Sequence, residues 1–128
     1  MRTILVVDDD PWVRVLACDV LANDGYRVLE ASDGPDAIRV AAEHPGPIHL
    51  LLSDVVMPGM NGCELAAGLA PLLPGMKVIL MSAYDRDFLV TSGLDPIGPV
   101  ISKPFTTEYL SRRVRMVLDR ETAPAPAR

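Results

Sequence analysis

The chain contains several short apolar runs, and four of them are followed directly by a polar residue with a reactive side chain. The runs are 4–7 before Asp8, 50–53 before Asp54, 78–81 before Ser82, and 100–102 before Lys103. They lack the polar alternation of a strand that faces water, so each is typical of a strand buried on both faces. A fifth strand is predicted at 26–30, and its ending in Glu30 is the least site-like of the five.

Helix-start signals lie between these runs. Asp10 followed by Pro11 predicts the cap and first turn of a helix, and Asn61 with Glu64 three residues later predicts a capping box. The predicted helices begin at or near Pro11, Gly34, Asn61, Asp85 and Thr106. The fourth of these helices, at 85–91, has the weakest signals.

The alternation of five strands with five helices predicts an α/β fold. We expect a doubly wound, five-stranded parallel sheet between two helical layers, a flavodoxin-like three-layer sandwich. Among the few doubly wound strand orders, 2-1-3-4-5 fits best, because it leaves the second strand at an edge. A length of 128 residues suits one domain, predicted at 1–120, with a flexible tail at 121–128.

Composition limits the classes of function. Twelve Lys and Arg stand against 17 Asp and Glu, and the net charge of −5 disfavours direct binding to nucleic acid or to an acidic membrane surface. The apolar runs are too short to span a bilayer, and the first residues lack a signal-peptide layout. With only two cysteines a disulfide framework is not expected, and a reducing cytoplasmic location is. Cys18 and Cys63 fall in predicted helices and are expected to pack there.

The polar strand endings predict a phosphoryl-transfer site. Parallel strands share one carboxyl edge, so Asp8, Asp9 and Asp54 are expected to lie together there. Neighbouring carboxylates repel unless a cation intervenes, and oxygen ligands favour Mg²⁺. Asp54, on the central strand, is the candidate nucleophile that forms an aspartyl phosphate. The Lys103 ammonium and the Ser82 hydroxyl are expected to neutralise phosphoryl oxygens.

The segments around these residues resemble the motifs of bacterial two-component response regulator receiver domains, over about residues 3–119. Segment 6–10 is similar to the acidic pair after strand one, 54–62 to the phosphoacceptor and its loop, 82–84 to the hydroxyl switch segment, and 103–105 to a lysine followed by a cis bond to proline. This resemblance implies that Asp9, Asp54 and the Val56 carbonyl bind Mg²⁺ directly. It implies that Asp8 contributes through water.

The same resemblance implies phosphorelay signal transduction. A histidine kinase or histidine phosphotransfer protein is then the donor, through a phosphohistidine. Phosphorylation would switch the surface of the fourth helix, fifth strand and fifth helix toward a downstream protein target. A self-phosphorylating and self-dephosphorylating signalling domain is expected rather than a turnover enzyme. The chain is expected to be a stand-alone receiver or, equally, a receiver cut from a hybrid histidine kinase or larger regulator. Met1 directly before strand one favours a natural N-terminus.

Position 100 departs from the family pattern. Val100 stands where receivers commonly carry an aromatic residue whose rotamer follows phosphorylation. Tyr84 is a candidate substitute, and together with Val56 it is predicted to flank the phosphate, shield it from water and slow autohydrolysis. Trp12 has two interpretations, a packing residue at the helix start or a neighbour of the acid pocket.

Three other functions match parts of the pattern. A small aspartate-nucleophile phosphohydrolase uses similar groups, and Asp8-Asp9-Asp10 contains its Asp-x-Asp spacing, but the loops here are short and no cap insertion is seen. A flavodoxin-like electron carrier needs a Ser/Thr/Gly-rich phosphate loop, whereas this loop is acidic. An interaction module that works without phosphate suits the fold, although the full set of site residues argues against it.

Overall fold

Five strands alternate with five helices in the computed structural model, which describes residues 1–122. The elements are β1 (Thr3–Val7), α1 (Pro11–Asn23), β2 (Arg27–Ala31), α2 (Gly34–Glu43), β3 (Leu50–Asp54), α3 (Gly62–Leu69), β4 (Lys77–Ser82), α4 (Arg86–Thr91), β5 (Val100–Ser102) and α5 (Thr107–Thr122). All strands are parallel and form one sheet in the order β2-β1-β3-β4-β5. The predicted doubly wound fold and strand order are confirmed.

Helices cover both faces of the sheet, which explains why its central strands β1 and β3 are mostly apolar. Every residue of β1 and of β3 is buried. Because side chains alternate along a strand, Ile4 and Val6 pack with α1 and α5 on one face. Leu5 and Val7 pack with α2 and α3 on the other. β1 and β3, in the centre of the sheet, are therefore shielded from solvent on both faces.

Side-chain caps set the helix starts that the sequence predicts. The carboxylate of Asp10 accepts a hydrogen bond from the Trp12 N–H at 2.9 Å, and Pro11 occupies the first turn of α1. Asn61 and Glu64 form the predicted capping box, in which each side chain accepts from the backbone N–H of the other residue. These caps anchor α1 and α3 directly after the strands that carry the candidate site.

Three strands end one residue later in the chain than predicted. β2 is shifted by one residue, because Gly25, at φ 96°, and Tyr26 still complete the turn that ends α1. β3 and β4 each end one residue later than the predicted runs, since Asp54 and Ser82 remain in register with the neighbouring strands. These two candidate site residues therefore belong to the sheet itself rather than to loops.

The last helix continues past the predicted domain boundary at residue 120. α5 runs through Thr122, and residues 123–128 of the predicted tail lie outside the described residues, so that boundary and tail stay predictions. Within residues 1–122, no helix combines the length and apolar character needed to cross a bilayer. Cys18 and Cys63 pack against the core clusters with free thiols, as predicted.

Candidate functional site

Three carboxylates meet at the carboxyl edge of the sheet, as the strand order predicts. Asp8 and Asp9 follow β1, Asp54 ends β3, and these strands are neighbours. One carboxylate oxygen from each residue lies within 4.8 Å of the other two. Asp8 is fully buried and Asp54 is 7% exposed, whereas Asp9 is open to solvent. The cluster therefore has a buried floor and one open side.

The ammonium group of Lys103 lies against this cluster. Its Nζ atom is 2.8 Å from Asp8 Oδ2 and 3.3 Å from Asp54 Oδ1. The backbone N–H of Lys103 donates to the Ser82 carbonyl at 2.8 Å, which fixes the end of β5 beside β4. The bond from Lys103 to Pro104 is cis, as the resemblance implies. The structure thus brings the predicted lysine into contact with two of the three carboxylates.

Burial and charge together shift the pKa values of the paired groups. Burial raises the pKa of Asp54 to about 6 against the attraction of Lys103, and repulsion from Asp8 adds to the rise. Burial alone would lower the pKa of Lys103, but its hydrogen bond to Asp8 and its attraction to Asp54 outweigh burial and raise it. Near neutral pH, one ammonium therefore faces more negative charge than it neutralises.

This cluster fits a divalent cation with oxygen ligands. One ammonium contacts two of the three carboxylates, so a further cation reduces the repulsion among them. The exposed carboxylate of Asp9 leaves one side open to water, which suits Mg²⁺ because that ion keeps several water ligands. Asp8, Asp9 and Asp54 are the side chains that could hold it. The Val56 carbonyl, two residues beyond Asp54, stays a predicted ligand.

Ser82 lies at the same edge but has a local partner. It is 1% exposed, and its hydroxyl oxygen accepts a hydrogen bond from the Tyr84 N–H at 2.9 Å. This contact closes the turn that leaves β4, a common use of a serine hydroxyl. Contact of the Ser82 hydroxyl with a phosphoryl group stays a prediction, and it requires the hydroxyl to exchange this partner.

Asp8 is also held by Arg14, which in turn pairs with Glu30, and the sequence did not predict a role for either residue. Arg14 Nη1 donates to the Asp8 carbonyl at 2.7 Å, and Arg14 Nε donates to Glu30 Oε1 at 3.2 Å. Glu30, the next-to-last residue of the edge strand β2, thus reaches the site through Arg14, although its strand was predicted to have the least site-like ending of the five. A cation in the first turns of the helix that follows an acidic strand end is the signal that could have indicated this contact.

The loop after Asp54 depends on a close backbone approach at Gly62. A Cβ atom on Gly62 would lie 2.2 Å from the Asp54 carbonyl oxygen, so the start of α3 has no room for a side chain there. The Gly62 N–H donates to the Val55 carbonyl at 2.8 Å, and the Ser53 hydroxyl donates to the Asp54 carbonyl at 2.9 Å. Together these contacts fix the backbone that carries Asp54.

Aromatic residues near the edge are largely exposed. Trp12 is 84% exposed, so its interpretation as a packing residue is wrong. It precedes the buried Leu21 by nine residues, roughly two and a half turns, and so faces away from the core. Whether Trp12 senses the acid pocket stays a prediction. The Tyr84 ring stacks on Phe88 of α4, with centroids 4.6 Å apart, while Val100 is half-buried among apolar residues.

Comparison with known proteins agrees with this geometry. Residues 4–115 match the model of the family described as response regulator receiver domain. The chain is 33% identical over 120 residues to the sensor kinase CckA of Brucella abortus (strain 2308), a match that covers 93% of this chain and 13% of that protein. It is 32% identical over 126 residues to the transcriptional regulatory protein KdpE of Mycobacterium tuberculosis (strain CDC 1551 / Oshkosh). That match covers 98% of this chain and 54% of KdpE.

A solved structure with the same fold is the response regulator TrrA of Thermotoga maritima, in complex with Mg²⁺-BeF. It is 31% identical to this chain, with a TM-score of 0.74, and the match covers 91% of this chain and 99% of that one. The chain spans about half the length of KdpE and a small part of the CckA kinase. The chain belongs to the response regulator receiver domain family, whose members act in two-component phosphorelay signalling.

Proposed function

We propose that Asp54 accepts a phosphoryl group from a phosphohistidine while Mg²⁺ is bound directly by Asp9, Asp54 and the Val56 carbonyl and through water by Asp8. The observation that carries this proposal is the position of Asp54 on the floor of the acid cluster, 3.3 Å from the Lys103 ammonium. With a pKa of about 6, Asp54 is mostly ionised at neutral pH, as a nucleophile requires.

In the proposed transfer, an Asp54 carboxylate oxygen attacks phosphorus as the P–N bond to the donor imidazole breaks. A P–O bond forms, and the electrons of the broken bond return to the imidazole nitrogen, which takes up a proton from solvent. Mg²⁺, when bound, supplies positive charge to the phosphoryl oxygens. Lys103 already lies beside Asp54, so its ammonium stabilises a further oxygen without a large movement.

The route from phosphate to partner is proposed to run through Ser82 and α4. Turning the Ser82 hydroxyl toward a phosphoryl group on Asp54 gives up its bond to the Tyr84 N–H. The Tyr84 ring stacks on Phe88, so a change at this turn reaches α4 directly. α4 has only six residues, which favours it as the mobile element. Because this chain has Val100 on β5 where receivers commonly carry an aromatic residue, we propose that the stacked rings of Tyr84 and Phe88 take over the role of that residue.

We infer that the donor is a histidine kinase or histidine phosphotransfer protein and that the output is contact with a downstream protein. Relatives carry this domain both in a sensor kinase and in a transcriptional regulator, so either setting suits the chain. A net charge of −5 disfavours direct contact with nucleic acid or an acidic membrane surface. The proposal is a cytoplasmic phosphoacceptor switch rather than an enzyme with turnover.

Incubation with acetyl phosphate and Mg²⁺, followed by intact mass measurement, tests the proposal. The native chain should gain one phosphate, and Asp54→Asn should gain none. Asp87→Asn, which removes an exposed carboxylate on α4, is the matched control and should label like the native chain. Equal labelling of the native chain and Asp54→Asn would show that Asp54 is not the acceptor. Sustained turnover of a phosphomonoester would favour a phosphohydrolase instead.

A further inference from the structure

A second charged pair reaches the acid cluster from α1 and β2. Arg14 Nη1 donates to the Asp8 backbone carbonyl at 2.7 Å, and Arg14 Nε donates to Glu30 Oε1 at 3.2 Å. The Arg14 side chain is 18% exposed, whereas that of Glu30 is 57% exposed. We propose that Arg14 is a positioning residue for the Mg²⁺ ligands, an inference that rests on the proposed function of the site.

The contact matters because of the atom that Arg14 holds. The carbonyl of Asp8 and the N–H of Asp9 belong to one planar peptide group, so fixing the oxygen fixes the plane from which Asp9 departs. Asp9 is the exposed carboxylate of the cluster, so burial does not restrain it. A hydrogen bond from a charged donor is stronger than one between neutral groups. Arg14 therefore orients the least constrained of the three carboxylates.

The remaining polar groups of Asp8 have other partners. Its N–H donates to the Ala31 carbonyl at 3.3 Å, its Oδ1 accepts from the Asp10 N–H at 2.9 Å, and its Oδ2 accepts from Lys103 at 2.8 Å. These bonds fix the backbone N–H of Asp8 and both oxygens of its carboxylate. Among the residues that the structure describes, Arg14 is the donor that restrains the peptide group joining Asp8 to Asp9.

Glu30 aims the guanidinium of Arg14. An ion pair with one exposed partner adds little stability by itself, so its main effect here is geometric. With Nε held by Glu30, the Nη1 group points at the Asp8 carbonyl. A guanidinium presents its donors in a rigid planar fork, and a lysine ammonium lacks the fork that spans both acceptors. Arg14 and Glu30 thus form a two-point clamp on the metal-binding turn.

Removal of Arg14 has opposite effects through charge and through geometry. Loss of a positive charge beside an acidic site favours cation binding by Coulomb attraction. Loss of orientation weakens binding, and groups that orient metal ligands typically contribute about 10-fold or more in affinity. A weaker affinity for Mg²⁺ in an Arg14 variant therefore reports positioning, because the change in charge acts in the other direction.

The test titrates the full chain with Mg²⁺ alone in a calorimeter. Arg14→Met should raise the Kd for Mg²⁺ by about 10-fold, and Arg14→Lys and Glu30→Ala should fall between this variant and the native chain. Arg39→Met is the matched control, because Arg39 pairs with two acidic residues on the surface of α2, and its Kd should match the native value.

Circular dichroism and thermal denaturation in EDTA establish that each variant is folded, and a purely structural role changes the melting temperature without changing the Kd. A native Kd in folded Arg14→Met overturns the inference. If that variant does not fold, a native Kd in both Arg14→Lys and Glu30→Ala overturns it. Failure of the native chain to bind Mg²⁺ overturns the proposed function instead, so the two failures are distinct.

Discussion

Lys103 and Asp8 stand 95 residues apart in the chain, and the Nζ atom of Lys103 lies 2.8 Å from Asp8 Oδ2. Asp8 is fully buried and the Lys103 side chain is 19% exposed, so solvent ions screen this pair weakly. The contact ties the end of β5 to the end of β1 across the carboxyl edge of the sheet. The same ammonium therefore stabilises the fold and also lies where it can bind an oxygen of the proposed phosphoryl group.

Lys103→Met should destabilise the metal-free chain. It leaves the buried Asp8 carboxylate without its countercharge, and breaking such a pair costs about 3 kcal/mol. Urea denaturation in EDTA at pH 7 measures the loss, and Mg²⁺ should restore part of it by replacing the positive charge. Lys77→Met removes the other lysine of the chain, which is exposed at the start of β4, and serves as control. Equal losses in both variants would contradict the assigned role.

In the absence of metal, the free energy of unfolding of Asp54→Asn relative to that of the native chain should increase as the pH rises. The pKa of Asp54 is raised from 3.8 to about 6 in the folded chain, chiefly by burial. The folded state then holds this proton more tightly than the unfolded state, so the stability it contributes is present below about pH 4 and is lost as the pH rises through 6. The rise corresponds to roughly 3 kcal/mol.

The measurement compares the native chain with Asp54→Asn by urea denaturation in EDTA at pH 4 and pH 8. The free energy of unfolding of Asp54→Asn relative to the native chain should increase between these two values. Mg²⁺ at pH 8 should reduce the difference, because it stabilises the ionised carboxylate of the native chain only. A difference that does not change with pH would show that Asp54 titrates at its ordinary pKa.

Gly62→Ala should disturb the site through the backbone. The added Cβ would meet the Asp54 carbonyl oxygen at 2.2 Å, so α3 or β3 must shift. Overpacking of this kind costs about 1–3 kcal/mol, and the shift should also weaken Mg²⁺ binding. Gly68→Ala is the control on the same helix, where a Cβ meets nothing within 4 Å and should stabilise α3 by up to about 1 kcal/mol. Unchanged Mg²⁺ affinity in folded Gly62→Ala would contradict the prediction.

The strand endings could be predicted from the sequence because their positions follow from topology alone. Parallel strands bring their carboxyl ends to one edge, so Asp8, Asp54, Ser82 and Lys103 had to lie near one another once the order of the strands was established. Apolar runs are buried on both faces, which makes their ends visible in the sequence. The acid cluster could therefore be predicted without knowing any side-chain conformation.

Contacts that depend on side-chain direction could not be predicted in the same way. The guanidinium of Arg14 contacts both Glu30 and the Asp8 carbonyl. The pattern of apolar residues does not determine the conformation of this long side chain. Trp12 is apolar, and its type indicated packing, yet its phase on α1 turns it toward solvent. The Ser82 hydroxyl bonds to the Tyr84 N–H, a local choice between partners that the strand pattern does not determine.

Ser82→Ala should separate phosphorylation from its transmission to α4. The variant keeps Asp54 and the acid cluster, so acetyl phosphate and Mg²⁺ should still add one phosphate. It lacks the hydroxyl that is proposed to leave the Tyr84 N–H for the phosphoryl group, so the backbone amide resonances of α4 should shift less on phosphorylation than in the native chain. Ser82→Thr retains a hydroxyl and should behave like the native chain. Full α4 shifts in phosphorylated Ser82→Ala would show that the signal reaches this helix without Ser82.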